Sequence, residues 1–174
     1  MANTYTLIEA QTLSTTATSV TLGSGGTIPQ TYTDLKVLIS ARTDRPSQDN
    51  DALFIAINGV TTNLANKLLE SVGSGTPNSS SNSGANTKVF PTVGITATAS
   101  TFGNGEIYFP NYTGSQYKSF SGDGVTENNA TQAITGLSAN LWSDTAAITS
   151  LTFNSIGTNF VSGSSFYLYG IKNS

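Results

Sequence analysis

The sequence predicts an all-β protein, a single antiparallel sandwich or closed barrel spanning residues 1–174. Three observations carry that reading. Apolar residues recur with period two along most of the chain. Gly, Asn, Ser and Pro interrupt those runs at short intervals, as turns between strands require. The two segments with some helical spacing lie among so many strand-like runs that both read as extended.

Taken in order, "YTLIEAQT" and "SVTL" open the chain as short strands. "LKVLISAR" alternates without error, placing Leu35, Val37, Ile39 and Ala41 on one face and Lys36, Leu38, Ser40 and Arg42 on the other. "ALFIAINGV" sets Leu53, Ile55 and Ile57 against Phe54 and Ala56, then stops at Asn58-Gly59, the strongest short hairpin signal. "TTNLANKLLESV" spaces Leu64, Leu68 and Val72 as a helix would, with Asn63 as a possible cap, and is read as extended. "NATQAITGLSANLW" is read the same way, because Gly136 disfavours a helix. "VGITATA", "GEIYFPNY", "YKSFSGDG", "AITSLTFNSI" and "SSFYLYGIK" complete a set of roughly nine to eleven strands. Residues 73–87, "GSGTPNSSSNSGANT", hold no large apolar side chain and are expected to form a flexible surface loop.

Composition narrows function by exclusion. Only 10% of residues are charged and the net charge is −3, so no basic surface awaits a nucleic acid. Cysteine and histidine are both absent, which removes disulfides, thiol nucleophiles and Ser-His-Asp chemistry. No apolar run reaches membrane-spanning length, and "MANTYTLIEAQTL" lacks the pattern of a cleaved leader. A low-charge surface rich in Thr, Ser and Gly suits packing against other proteins.

Four groups of residues bear on a site. Asp44, Asp49 and Asp51, with Asn50, offer oxygen ligands for calcium, but lack the spacing of a twelve-residue calcium loop. They read as Asx turns, with calcium left open. Asp123 and Glu127 lie in "SGDGVTENNAT", where flanking Gly122 and Gly124 indicate a turn. Glu106 and Glu9 are the strand-borne carboxylates for glycoside hydrolysis, a chemistry that needs two such groups at fixed separation. Neither sits in a motif, and no catalytic role is expected. Among the aromatics, Phe109, Phe166 and Trp142 are expected in the core, while Tyr112 and Tyr117 are expected exposed. Tyr112, Tyr117 and Asp123 are therefore the candidate glycan contacts. In "SFYLYGIKNS", Phe166 and Leu168 face the core, leaving Tyr167, Tyr169 and Ile171 as candidate interface residues.

"IPQTYTDLKVLISARTD", "INGV", "GEIYFPNYTGSQYKSFSGDG", "LW", "TAAITSLTF" and "SFYLYGIKNS" together resemble a family of small proteins encoded by marine tailed phages, of the cyanophage and pelagiphage type. The resemblance runs over nearly the whole chain and rests on strand and turn wording, with no catalytic signature. It implies a jelly-roll-like virion component, a capsid decoration protein or an appendage on the virion surface. It further implies a homo-oligomer whose partners are the major capsid protein or other virion proteins. The alternative is a carbohydrate-binding fibre module that contacts a host surface glycan. Neither reading calls for a cofactor, metal, nucleic acid or membrane.

Overall fold

The computed structural model describes residues 4–84, 87–127, 131–156 and 158–172. Twelve strands form two antiparallel sheets. They are β1 (Tyr5–Thr12), β2 (Ser19–Leu22), β3 (Asp34–Ala41), β4 (Asn50–Ile57), β5 (Leu64–Val72), β6 (Asn78–Ser83), β7 (Lys88–Val93), β8 (Gly103–Phe109), β9 (Lys118–Glu127), β10 (Ala133–Trp142), β11 (Leu151–Asn154) and β12 (Ser165–Ile171). The large sheet runs β1-β12-β3-β8-β9-β10-β5-β6 and the small one β2-β11-β4-β7.

That order is a jelly roll with two insertions. β1 pairs with β12, β2 with β11, β3 with β8 and β4 with β7, the nested pairs of one long antiparallel hairpin. Wrapping the hairpin adds the β12–β3 and β11–β4 pairs and gives two four-stranded sheets. The β5–β6 hairpin is inserted between β4 and β7, and the β9–β10 hairpin between β8 and β11. Both insertions join the same side of one sheet through the β8–β9 and β10–β5 pairs.

The core lies where the period-two pattern puts it. Leu35, Val37, Ile39 and Ala41 of β3 meet Leu53, Ile55 and Ile57 of β4, all at most 3% exposed. Phe166 stacks on Phe153 at 5.7 Å between ring centroids and meets Phe160 edge-on at 5.2 Å. Phe109 stacks on Phe120 at 4.7 Å, and Trp142 is buried, so the core expectation for Phe109, Phe166 and Trp142 holds. Arg42 is buried, and among the described residues it has no carboxylate partner. Its guanidinium instead donates to the carbonyl oxygens of Ile95, Ala97, Thr98 and Thr101, fixing that loop on the sandwich.

The four-stranded sheet reaches across the inserted strands of the large one through its edge strand β7. β7 packs on β8, β9, β10 and β5. Gly105, Gly124 and Gly136 stand in register across β8, β9 and β10 and form one row without side chains. A Cβ at Gly124 or Gly105 would lie 2.5 Å from the Phe90 ring, and one at Gly136 would lie 2.5 Å from Pro91. Val89 fills the space above Gly122 in the same way. Lys88 then ties the end of β7 to β5 through a 2.6 Å ion pair with Glu70, and its carbonyl accepts from the Asn66 amide.

Several expectations need correction. "SGDG" is no turn: Gly122, Asp123 and Gly124 lie inside β9, with the glycines there for close packing. Residues 73–87 are not wholly loop, because Asn78–Ser83 form the edge strand β6 paired with β5. "VGITATA" is not a strand; the strand ends at Val93, and Pro91 is tolerated in it because β7 is a sheet edge. Asn58-Gly59 does form a tight turn, with φ of 53° and 74° and reciprocal Ile57–Val60 hydrogen bonds. It does not join paired strands, since β4 and β5 belong to different sheets.

The glycine row gives a direct test. Gly124→Ala is expected to cost about 1–3 kcal/mol by overpacking against Phe90, a fall in Tm of roughly 2–12 °C for a chain of this size. In a Phe90→Leu background the alanine should cost clearly less, as a double-mutant cycle by thermal unfolding would read. Equal costs in both backgrounds would separate Gly124 from the ring.

Candidate functional site

The outer face of the large sheet brings together four of the candidate residues, Glu106, Asp123, Tyr167 and Tyr169. Its residues follow from strand register. One row runs Leu7–Tyr169–Lys36–Tyr108–Ser121–Ala139–Lys67–Ser81 from β1 to β6. The neighbouring row runs Ala10–Tyr167–Leu38–Glu106–Asp123–Leu137–Leu69–Ser79.

From β8 to β6 the face sinks into a groove of about 1020 Å³. Its floor is made by small side chains: Ser119 and Ser121 on β9, Ala139 on β10 and Ala65 on β5. Tyr108 and Pro110 bound it on one side, and the serines of β6 on the other. Leu141 and Lys67 also line it. The trough thus exists because Ser119, Ser121, Ala139 and Ala65 are shorter than the Tyr108 and Pro110 that bound them on the β8 side.

Tyr108 is held firmly. Its hydroxyl donates to Asp34 Oδ2 at 2.7 Å, while Asp34 Oδ1 accepts from the Asn111 amide at 2.8 Å. The phenol is pushed up to about 12, first by that hydrogen bond to a carboxylate and then by burial. It stays neutral across the physiological range.

Beside the groove lies a charged cluster. Lys36 Nζ sits 2.7 Å from Glu106 Oε2, and this bond holds the lysine's pKa above its usual value. Glu106 faces Asp123 directly across the β8–β9 pair. Partial burial, followed by the Glu106 charge, raises the Asp123 pKa above the ordinary aspartate value. The two carboxylates project side by side from one sheet face. Glycoside hydrolysis needs them on opposite sides of a sugar, so this pair does not have that arrangement. Glu9 is not near it: β12 and β3 lie between β1 and β8, a separation of about 14 Å. Glu9 is occupied instead by the Gly23 amide at 2.6 Å and the Gln11 side chain at 2.7 Å.

The expected glycan contacts do not converge. Tyr112 is fully buried, with its hydroxyl donating to the Pro29 carbonyl, so its expected exposure is corrected. A tyrosine ringed by Asn, Pro and Gly looked exposed, but its ring belongs to the core. Tyr117 is 61% exposed, just before β9. Asp123 follows it by six residues on a strand path, about 20 Å away. The floor serines lie between them. Sequence reasoning missed Ser119, Ser121 and Ala139, although their alternation with Phe120 and Asn140 was visible.

The three loop aspartates are each engaged by separate partners. Asp44 accepts from the backbone and side chain of Asn159, both at 2.8 Å, and these bonds lower its pKa. Buried Asp51 accepts from the Ala52 amide and the Thr158 hydroxyl, with Arg45 Nη1 at 3.4 Å. Asp49 binds the Asn50 amide. Among the described residues no group of three metal-ligating side chains converges. The Asx-capping role is the one these contacts describe.

The interface candidates divide. Tyr167 and Tyr169 are half-buried on the outer face, beside exposed Tyr5 and Leu7 of β1. Ile171 shares that face, in register with Tyr5, but is only 6% exposed, a correction to its expected role as a contact residue.

The fold and site together define a jelly-roll β-sandwich with a grooved, nearly neutral outer sheet face. Comparison with family models, curated proteins and solved structures finds no significant match to this chain.

The paired carboxylates predict a pH-dependent effect. Ionised Asp123 burdens the folded state at any pH above its raised pKa, and the burden vanishes below about 3.8, where both states are protonated. Asp123→Asn should therefore raise Tm by about 1–2 °C at pH 7. The advantage should disappear near pH 3. A gain that persists unchanged there would assign it to something other than charge.

Proposed function

We propose that this chain is a virion structural protein of a tailed phage, a decoration protein that binds the assembled head as an oligomer. The observation that carries the reading is the apolar patch at the free edge of the large sheet. Tyr5 and Leu7 are 54% and 51% exposed there and continue across the face into Tyr169 and Tyr167. Apolar and aromatic side chains gathered at a surface, with charge depleted, are the usual composition of a protein contact. Tyrosine contributes large area at small entropic cost, which suits it to anchor such a contact.

The jelly roll with its neutral surface supports this reading, as does the resemblance to phage virion proteins. The carboxylates lack an opposed pair and the loop aspartates are already engaged, which favours a binding role over catalysis. The partner is the major capsid protein or another virion protein, and the site of action is the virion surface.

Two measurements test this. Mass spectrometry of purified particles should find the protein in many copies, and its absence would overturn the reading. Sedimentation of the isolated protein should show an oligomer that Leu7→Lys weakens by about tenfold or more in Kd. The Tm should be unchanged, because Leu7 contributes little to the core. An unaltered mass would place the contact elsewhere.

A further inference from the structure

We propose that the groove on the outer face of the large sheet is a binding site for a linear, uncharged polysaccharide chain. This stands apart from the virion reading, since it rests on a different part of the sheet.

The shape is the first reason. The groove crosses five strands, β8 to β6, giving a length of roughly 19 Å. Its volume of about 1020 Å³ is at the upper end of ligand sites and suits several pyranose rings laid end to end. A trough open at the surface admits a chain without needing its end.

The lining is the second reason. Tyr108 and Pro110 offer flat apolar surface at one end, and the C–H face of a pyranose stacks on such a surface. Tyr108 is fixed by Asp34 before any ligand arrives, so little rotamer freedom is lost on binding. Ser119, Ser121, Ser81 and Ser83 present hydroxyls that both donate and accept. Among the described residues none of the four side chains takes a hydrogen-bond partner. Hydroxyls of a sugar, which also donate and accept, match them without regard to polarity.

Charge selects the ligand class. Among the described residues Lys67 is the one Lys, Arg, Asp or Glu lining the groove, and the Glu106–Asp123 pair stands beside the groove. A nucleic acid or heavily sulfated polymer would meet that pair and a net charge of −3. An extended polypeptide would bring backbone groups needing partners at strand spacing, which the outer face of a sheet does not supply; only its edges do.

The test is affinity electrophoresis of the full chain in gels containing barley β-glucan, hydroxyethylcellulose, xylan, mannan or dextran sulfate. A soluble Ser/Gly-rich extended peptide is titrated by calorimetry in parallel. Retardation by at least one neutral polymer is expected. Tyr108→Ala should weaken it about tenfold or more. Because Tyr108 also binds Asp34, Ser121→Phe is the second variant, which fills the exposed floor and leaves the core untouched. It should abolish retardation with Tm unchanged. The proposal is overturned by no retardation in any neutral gel, or by retardation in dextran sulfate alone. Binding that survives Ser121→Phe also overturns it, as does preference for the peptide.

Discussion

The seating of β7 on a floor of glycines is the contact on which the rest of the molecule depends. Val89, Phe90 and Pro91 enter the space left by Gly122, Gly124, Gly105 and Gly136, where any Cβ would collide. Without that approach, β9, β10 and β5 would have an inner face and nothing to bury it against. A two-stranded insertion is marginal alone, and two insertions gain stability only as parts of a covered sheet. The glycines lose strand propensity, but here the loss is offset by burial of an aromatic ring and a proline.

The same arrangement explains why the outer face is free. A sheet strand is alternately inward and outward, so glycines and Phe120 pointing in leave Ser119, Ser121, Asp123 and Val125 pointing out. On β10, Ile134, Gly136, Ser138, Asn140 and Trp142 turn inward, and Ala139 and Leu141 turn outward. The packing demand on one face thereby leaves the other free of the need to bury side chains. Small polar residues can accumulate there without cost to the core, and the groove is the result.

How much of this was legible follows from the range of each interaction. β3, β4 and β12 could be read directly, because alternation is a local property and their inward residues are almost all large and apolar. Trp142, Phe109 and Phe166 were placed correctly for the same reason. β7 was not legible: Pro91 weakens a strand signal, and its edge position depends on pairing with β4. The glycines of β9 were misread because a Gly-Asp-Gly run favours a turn locally, and only a ring from residue 90 explains it. β6, with no apolar residue, is held by its hydrogen bonds to β5 and by Asn66, whose side chain accepts from the Asn82 amide at 3.0 Å. The groove was hidden because it needs the registers of five strands at once. The pairing of Glu106 with Asp123 was hidden for the same reason.

The two surfaces proposed to act are separated by the body of the sheet, and that separation matters. The Tyr5–Leu7 patch lies at the β1 edge, while the groove begins at β8, with β12 and β3 between. Attachment through the β1 edge leaves the groove open to solvent. Attachment through exposed Leu69 and Leu137 would not, because their row lies only about 7 Å from that of Ala139 and Lys67. A partner seated there would close the trough. The fold can therefore support anchoring and glycan capture at the same time only in the first arrangement. That constraint makes the β1 edge, and not the larger aliphatic pair beside the groove, the surface on which a dual role depends.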